Sequence, residues 1–411
     1  MINKPRILIL LWHPKKEIAG GFVRVKEFLP YLSKNFEITA IDNSPSIFTD
    51  FKDVEIVEFE IPKVVKKIYN FNFSLGRLFE WLCAFYYLVT IGKNLIKNKN
   101  YELIYGPTGD NLHIFLSAVM LKKIFPKTKL LLDILNLEMP EGGTKNYFNN
   151  FKKNNFGLFD SLTRTYFLVV LLFIERKLIK NADFIITVSP YMKNVIAKYY
   201  PKEKIDFTPS GVNIPSSLKS QNKKSINGIY FGRQTKDKGI FDVLDVWEKV
   251  TNKIPDAYLV TAGSIEDKVK KTLEEQILKS GIGNKVEVKG LVTEEEKWDL
   301  LSKSKYFLHL AYFEPLVPVI TILEALSSGL PVVMYDTKAV DDYPFLRKTK
   351  SIYIVPNKDV EEAAETILYL EKLSKEDYKK IGLEAKSIAK KFNWNDISKK
   401  EINAINNALN L

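Results

Sequence analysis

Cysteine and histidine are almost absent from this sequence. Its 411 residues include one cysteine, Cys83, and three histidines, His13, His113 and His309. One cysteine cannot form an internal disulfide, and these four scattered residues cannot build a Cys/His zinc cluster. The composition therefore excludes a disulfide-stabilised scaffold and a zinc-finger protein, and it favours a reducing cytoplasm.

Long hydrophobic runs are also missing. The first apolar run, ILILLW (7–12), is followed at once by His13-Pro14-Lys15, and it is shorter than the ~7–15 residues of a signal-peptide core. The runs near 81–91 and 166–174 are shorter than the ~20 residues that cross a bilayer. We therefore expect neither a signal peptide nor a transmembrane helix.

Low-complexity tracts are lacking as well, and the 46% hydrophobic content is that of a folded protein. A chain of 411 residues exceeds what one core usually supports, which predicts two domains.

The net charge of +12 is uneven: residues 1–210 hold 30 Lys/Arg against 20 Asp/Glu, and the remainder holds 31 against 29. Such a surface attracts nucleic acid, anionic membranes or acidic substrates, or is simply solvated. No nucleic-acid-binding signature accompanies the charge.

Short apolar runs alternate with longer amphipathic stretches, which predicts β-α units in parallel sheets. The predicted strands of the first half are 7–12, 38–42, 103–106, 129–135 and 184–189. Those of the second half are 228–232, 257–263, 286–290, 306–311, 331–336 and 351–355. The polar segment 209–225 between the two sets is the predicted linker. The expected fold is α/β, with two doubly wound, Rossmann-like domains facing each other across a cleft that would hold the ligand.

The expected domains are 1–213, which would bind an acceptor, and 214–390, which would bind a nucleotide sugar. A C-terminal helix in 391–411, beginning near Phe392-Asn393-Trp394, is expected to pack back towards the first domain.

The segment GRQTKDKG (232–239) follows a predicted strand and precedes a predicted helix. A turn of this kind offers unpaired backbone N–H groups, and Arg233 and Lys238 add two positive charges. It therefore predicts a diphosphate site, although an exposed basic turn is the simpler alternative.

Glu314 lies at the end of a predicted strand and Glu324 inside the following helix. A carboxylate can accept two hydrogen bonds from a vicinal diol such as ribose, whereas solvated glutamates are the ordinary case. Gly20-Gly21, between the first strand and the helix FVRVKEFLPYL, would allow close approach of a ligand, or would only make the loop flexible.

Together these segments resemble the retaining family 4 glycosyltransferases of the GT-B fold. ADFIITVSPYMKNVIAKYY with PSGVNI (182–214) is similar to the family's ADxIIxVSxxxK…NGVD segment. GRQTKDKG matches its GRxxxxKG motif, and LEALSSGLPVV (323–333) matches its LEAMAxGxPVV motif. The resemblance spans nearly the whole chain.

The resemblance implies a role for each matching residue. Gly232, Arg233 and Lys238 would bind the donor diphosphate, Glu324 the ribose hydroxyls, and Glu314 the transferred sugar. Gly20 and Gly21 would line the nucleotide sugar from the opposite wall. Gly263 and Leu291, which follow two predicted strands of the second half, are also expected to contact it.

The chain departs from the family at Glu314. Nine residues, not seven, separate Glu314 from Glu324, and Pro315-Leu316-Val317-Pro318 replaces the usual Gly-Phe-Gly. Because proline donates no backbone N–H, part of the amide cradle around the sugar must differ.

Acceptor residues are implied by a looser match. LLLDILNLEMPEGG (130–143) resembles the Asp-x-x-Asp-Leu-Trp-Pro-Glu stretch of relatives that act on lipid-linked or polysaccharide acceptors, which places Asp133, Asn136 and Glu138 on the acceptor side. The histidine that many members carry there is absent, and His113 would approach the cleft as a catalytic residue or else serve in packing.

The expected enzyme is a metal-independent glycosyltransferase without a cofactor. No Asp-x-Asp pair occurs in the chain, so the leaving diphosphate would be stabilised by Arg233 and Lys238, and the resemblance implies retention of configuration. Two alternatives are a sugar-nucleotide epimerase of the same fold and a non-catalytic saccharide- or nucleotide-binding module.

The expected location is the cytoplasm. The Lys-rich segment 63–71 and the apolar stretch 81–91 raise the hypothesis of contact with the inner face of an anionic membrane. The alternative is that 81–91 is a buried helix.

Overall fold

The computed structural model describes residues 4–12, 20–43, 51–65, 73–107, 112–136, 158–214 and 224–410. Residue contacts divide the chain into two compact units. The first holds the described residues of Met1–Lys145 together with Leu162–Pro209 and Trp394–Leu411, and the second is centred on Ser210–Asn393.

The first unit contains a parallel sheet in which seven strands are described. They are β1 (Arg6–Leu10), β2 (Glu37–Asp42), β3 (Val54–Glu58), β4 (Leu103–Gly106), β5 (Lys129–Ile134), β6 (Phe184–Thr187) and β7 (Ile205–Phe207). Their order is β3-β2-β1-β4-β5-β6-β7, and Ile7 of β1 pairs with Ile38 of β2 and Leu103 of β4. Strand order reverses between β1 and β4, which is the switch point of a doubly wound sheet.

Helices cover this sheet because their apolar positions recur on one side. They are α1 (Gly20–Leu32), α2 (Phe73–Asn98), α3 (Leu112–Ile124), α4 (Leu158–Leu178) and α5 (Pro190–Ile196). Ala84 and Leu88 of α2 and Phe115 of α3 pack with Leu8 and Leu132 of the sheet in one buried cluster. Trp81, Ala84 and Leu88 are buried, so the stretch 81–91 lies within a helix that packs against the sheet.

The second unit repeats this architecture with a six-stranded parallel sheet. Its strands are β8 (Ile226–Phe231), β9 (Leu259–Ala262), β10 (Val286–Val288), β11 (Ser304–His309), β12 (Val332–Tyr335) and β13 (Ile352–Val355). Its helices are α6 (Ile240–Lys253), α7 (Asp267–Lys279), α8 (Glu294–Lys303), α9 (Ile320–Ser327), α10 (Val360–Glu371) and α11 (Lys375–Lys390). The order β10-β9-β8-β11-β12-β13 places the switch point between β8 and β11.

The last helix, α12 (Trp394–Asn410), belongs to the first unit. It packs against α1, β5 and β7, and the Trp394 ring lies edge-on to the Phe28 ring, with centroids 5.2 Å apart. Among the helices that the structure describes, none combines the length and the hydrophobicity of a membrane-spanning segment.

The predicted fold class of two Rossmann-like sheets is confirmed, and each of the eleven predicted strands is present. Two strands were missed, β3 and β7. Both are edge strands; β3 alternates apolar residues with Glu55 and Glu58, and β7 has only three residues. An edge strand is half exposed, so its sequence lacks the continuous apolar run on which the prediction relied. Part of the predicted linker 209–225 lies outside the described residues.

Candidate functional site

The turn after β8 has a backbone that only glycine permits at its end. A short 3-10 helix, Lys236–Lys238, leads to Gly239, which has φ 73° and begins α6. A Cβ atom at Gly239 would lie 1.8 Å from the carbonyl oxygen of Leu310, just after β11. The turn is thus pressed against the loop of the neighbouring strand, which brings the segments after β8 and β11 together at the switch point.

Gln234 anchors this turn to the two strands on its other side. Its side chain is fully buried, and its Nε2 donates to the carbonyl oxygens of Lys289 (2.6 Å) and Gly263 (3.2 Å). Its Oε1 accepts from the Thr261 hydroxyl at 2.9 Å. A buried amide with all these bonds satisfied fixes the turn firmly, and sequence analysis missed it because a glutamine in a polar turn has no distinguishing signal.

Gly263 and Leu291 lie beside this anchor. Gly263 has φ 127°, and a Cβ there would lie 1.9 Å from the Gly232 carbonyl oxygen. Gly263 therefore packs directly against the turn of Gly232 and Arg233. Leu291 lies three residues beyond the end of β10 and is 66% exposed.

The two cations of the turn differ in their surroundings. The Arg233 guanidinium is exposed, and no hydrogen bond or ion pair joins it to another residue in the described part of the chain. Lys238 is half-buried, and its Nζ lies 2.6 Å from Oε1 of Glu314. One cation is therefore open to a ligand, and the other is held against a carboxylate.

Glu314 is buried and ionised. Burial alone would raise the pKa of its carboxyl group, but the Lys238 ammonium and the hydrogen bond with His309 outweigh it and lower that pKa to about 2. Nε2 of His309 lies 3.1 Å from the same Oε1 atom. The structure thus joins Lys238 and Glu314, which the sequence analysis had assigned to the diphosphate and to the sugar, and it adds His309, which had no motif to mark it.

Glu324 lies in α9 and is paired with a lysine that sequence analysis did not single out. Nζ of Lys297, in α8, lies 2.5 Å from Oε1 of Glu324, and both side chains are 10% exposed. Burial lowers the pKa of Lys297, but the attraction of Glu324 and Glu294 exceeds this effect and raises it. Lys297 was missed because TEEEKWDLL has the charged pattern of a solvated helix.

The site residues predicted in the first unit, Gly20, Gly21 and His113, lie in surroundings that are less suited to binding or catalysis than those of the second unit. Gly20 and Gly21 form the first turn of α1 rather than preceding the helix. His113 begins α3 and is 2% exposed; its ring packs edge-on to Trp12 (4.8 Å) and stacks on Trp81 (5.5 Å). This is the environment of a packing histidine, the alternative given above, and it does not support a catalytic role.

Asp133 of β5 is buried in a cluster of polar side chains. Its Oδ2 lies 3.5 Å from Nη2 of Arg24. The Nη1 atom of the same arginine donates to the Thr208 carbonyl oxygen at 2.7 Å. Glu401 of α12 accepts from the Tyr105 hydroxyl at 2.6 Å. Burial, followed by repulsion from Asp133, raises the pKa of Glu401 to about 7. The cluster therefore joins α12 to the first sheet, and Asp133 is inside it rather than open to an acceptor.

Two predicted acceptor residues and the possibility of a metal site remain to be placed. Asn136 follows β5 at half-burial, and Glu138 lies outside the described residues. In the described part of the chain, no three His, Cys, Asp or Glu side chains are grouped closely enough to hold a metal ion.

Comparison with known proteins shows what the second unit is similar to. Residues 214–388 match the family of glycosyl transferases group 1. The chain is 26% identical over 236 residues to an uncharacterized glycosyltransferase of Methanocaldococcus jannaschii, covering 54% of this chain and 52% of that protein. It is 23% identical over 186 residues to a GDP-mannose:cellobiosyl-diphosphopolyprenol alpha-mannosyltransferase of Xanthomonas oryzae pv. oryzae, covering 44% and 47%. The matches span about half the length of these relatives.

A structural likeness extends over the whole chain. The crystal structure of Anabaena HepE in complex with UDP and glucose superposes with a TM-score of 0.69 and 16% identity, covering 97% of this chain and 99% of HepE. At this identity the likeness shows a shared fold. Residues 214–388 thus match the glycosyl transferases group 1 family, and the chain has the GT-B fold of two Rossmann-like sheets.

Proposed function

We propose that this protein is a glycosyltransferase that moves a sugar from a nucleotide-diphosphate sugar to an acceptor hydroxyl. The observation that carries the proposal is the turn after β8, where exposed Arg233 and Glu314-bound Lys238 share one glycine-bounded loop. Both relatives named above are glycosyltransferases, which agrees with this class of reaction.

Donor binding follows from the charges of the second unit. Arg233 would form paired hydrogen bonds with the diphosphate, since its planar guanidinium matches two phosphate oxygens. Lys238, held by Glu314 at 2.6 Å, would place a second charge at the same group. Glu324, fixed by Lys297 through Oε1, would accept hydrogen bonds from the ribose hydroxyls.

In the proposed reaction the bond between the sugar C1 and the phosphate oxygen breaks, and its electron pair stays on the departing diphosphate. Arg233 and Lys238 stabilise that developing negative charge, which is usually the largest contribution in such a reaction. The acceptor oxygen bonds to C1 on the same face, and its proton passes to the departing phosphate oxygen. We propose that no metal and no cofactor take part, because these two cations supply the positive charge.

The substrates are proposed by class. HepE was solved with UDP and glucose, and the Xanthomonas oryzae relative is named for GDP-mannose and a diphosphopolyprenol acceptor. We therefore propose a nucleotide-diphosphate hexose as donor, and a lipid-linked saccharide or polysaccharide as acceptor. Synthesis of cell-surface polysaccharide by a cytoplasmic protein held at the inner face of a membrane is the setting that fits these substrates.

The test is donor turnover. The purified chain is incubated with UDP-, GDP- and ADP-sugars, with and without EDTA, and free nucleoside diphosphate is measured; we expect release from one donor, unaffected by EDTA. Arg233→Ala and Lys238→Ala should each reduce kcat/KM by about 100-fold or more. Lys253→Ala, an exposed lysine at the end of α6, is the matched control and should leave it unchanged.

The alternatives predict different results. A sugar-nucleotide epimerase would convert the donor sugar in the absence of acceptor without transferring it, and a non-catalytic module would bind a donor without turning it over. With a glycosylated product in hand, NMR coupling at the anomeric carbon tests retention directly: a product of inverted configuration refutes the same-face step.

A further inference from the structure

Exposed apolar side chains are concentrated on two helices of the first unit. Those of α2 are Leu78, Phe79, Leu82 and Tyr86, and those of α4 are Leu162, Tyr166 and Phe173. Tyr86 is 63% exposed and Tyr166 74%. In the second unit the large exposed hydrophobics that the structure describes, Ile214, Leu278, Leu291, Tyr369 and Leu383, lie on separate elements. Isolated apolar residues are normal on a surface, but a group of seven on two helices is not.

The seven side chains form one stripe on each helix. Positions 78, 82 and 86 of α2 recur every four residues, so they share a face, and exposed Lys93 and Lys97 continue it. Positions 162, 166 and 173 of α4 share a face in the same way. This stripe also ends in lysine, since Nζ of Lys177 lies 4.4 Å from the centre of the Phe173 ring.

Both stripes lie on the same side of the first sheet. Residues of α2, α3 and the end of α4 pack against one core cluster with the apolar side chains of β1, β4 and β5. The strands are parallel, and α2 and α4 lead to the amino ends of β4 and β6. Both helices therefore run antiparallel to the strands. Their stripes are mostly apolar towards the carboxyl edge of the sheet, and their lysines lie towards the amino edge.

The charge of this side is positive. The described side chains of helices α2, α3 and α4 include six Lys/Arg and two Asp/Glu. One of these two acids, Glu175, is 5% exposed, whereas Lys93, Lys97, Lys123 and Lys177 are exposed. Apolar side chains bordered by exposed positive charge are the combination that a bilayer with anionic lipids binds.

We propose that the outer stripes of α2 and α4, with Lys93, Lys97 and Lys177, are the surface through which this protein binds an anionic lipid bilayer. The apolar side chains enter the boundary between headgroups and acyl chains, and the lysines contact the anionic headgroups. A second copy of the chain fits less well, because self-association through this face would bring its lysines against like charges. The proposal refines the membrane location given under Proposed function and does not depend on the donor site.

The test is co-sedimentation of the full chain with vesicles of phosphatidylcholine alone, or of phosphatidylcholine and phosphatidylglycerol in equal amounts. The wild type should bind the anionic vesicles and only weakly the neutral ones, with binding that decreases as salt increases. Combined Lys93→Ala and Lys177→Ala should weaken binding about 25-fold, or about fivefold per lysine. Combined Leu82→Ser, Tyr86→Ser and Phe173→Ser should weaken it by at least about tenfold.

Matched controls use equally exposed residues of the second unit. These are Leu278→Ser, Tyr369→Ser and Leu383→Ser in one variant, and Lys271→Ala with Lys379→Ala in another. Both should bind vesicles as the wild type does. Absence of wild-type binding to anionic vesicles, or an equal loss in the controls, overturns the proposal. So does light scattering that shows a wild-type dimer converted to monomer by the stripe substitutions without any binding of vesicles.

Donor hydrolysis in vesicle-free buffer separates this proposal from the proposed function. Both stripe variants should keep the wild-type rate, because none of their residues belongs to the donor site. Vesicle binding without hydrolysis would refute the glycosyltransferase while leaving the docking surface intact, and hydrolysis without vesicle binding would do the reverse.

Discussion

Replacing Lys238 by methionine removes the cation that stabilises a buried carboxylate while nearly keeping the length of the side chain. Glu314 is 4% exposed, and its pKa is lowered from 4.5 to about 2 because the charge of Lys238 and the hydrogen bond with His309 outweigh burial. That difference corresponds to ~3 kcal/mol of folding free energy at pH 7. Because His309 remains and Lys238 is partly exposed, we expect Lys238→Met to lower the free energy of unfolding by ~2 kcal/mol.

The sign of the pH dependence follows from the lowered pKa. The stabilisation that Glu314 provides is fully present above its unfolded pKa near 4.5 and is lost as the pH falls towards 2. The difference between wild type and Lys238→Met should therefore be large at pH 7 and should shrink below pH ~4. Adding Glu314→Gln to the variant should recover part of the loss, since no buried charge is then left unpaired.

Urea unfolding of both proteins between pH 3 and pH 8, followed by tryptophan fluorescence, measures this difference. The control is Lys249→Met, which breaks an ion pair with Glu361 of similar length, 2.5 Å, at an exposed place; no measurable loss is expected. An unchanged stability of Lys238→Met at pH 7, or an equal loss at pH 3 and pH 7, would refute the reasoning.

Three further predictions rest on other contacts. Lys297→Met should raise KM for a ribonucleotide sugar by about tenfold, because Glu324 would lose the fixed orientation in which it accepts hydrogen bonds from the ribose hydroxyls. KM for the 2′,3′-dideoxy analogue, which lacks those hydroxyls, should be nearly unchanged. Equal effects on the two donors would contradict this. Gly239→Ala should destabilise the second unit by more than ~3 kcal/mol in urea unfolding, whereas Gly281→Ala, with the same positive φ but open space, should cost only ~1 kcal/mol. The raised pKa of Glu401 in the folded protein means that wild-type thermal stability decreases as the pH rises through about 7. Glu401→Gln should flatten this decrease between pH 5 and pH 8. Parallel curves for the two proteins would show that Glu401 does not titrate there.

The sequence was sufficient where one strand and its following loop determine the structure. Buried parallel strands have continuous apolar runs, so β1 and β8 to β13 could be located, and the glycines of GRQTKDKG marked a turn of restricted backbone. Contacts that depend on tertiary packing could not be located. Lys297 and Glu324 are far apart in the chain, and they meet only because α8 and α9 flank β11.

His113 shows the opposite limit. A histidine after a strand suggested chemistry, but the two tryptophans that enclose it, Trp12 and Trp81, come from β1's extension and from α2. No local pattern announces such an enclosure, because it depends on which helix covers which strand. The membrane hypothesis shows a similar limit: the apolar stretch 81–91 was noticed, yet Trp81 and Leu88 are buried, and the exposed stripe begins earlier, at Leu78.

Gln234 couples the position of Arg233 to that of the loop after β10. Its three hydrogen bonds join the turn of Arg233 to the ends of β9 and β10, and the exposed Leu291 lies three residues beyond the end of β10. We predict that a substitution that reshapes the loop of Leu291 will also displace Arg233, so that under the proposed function a change in donor preference will carry a change in turnover. Redesign of this protein for a new donor would have to compensate at Gln234 as well as at the loop.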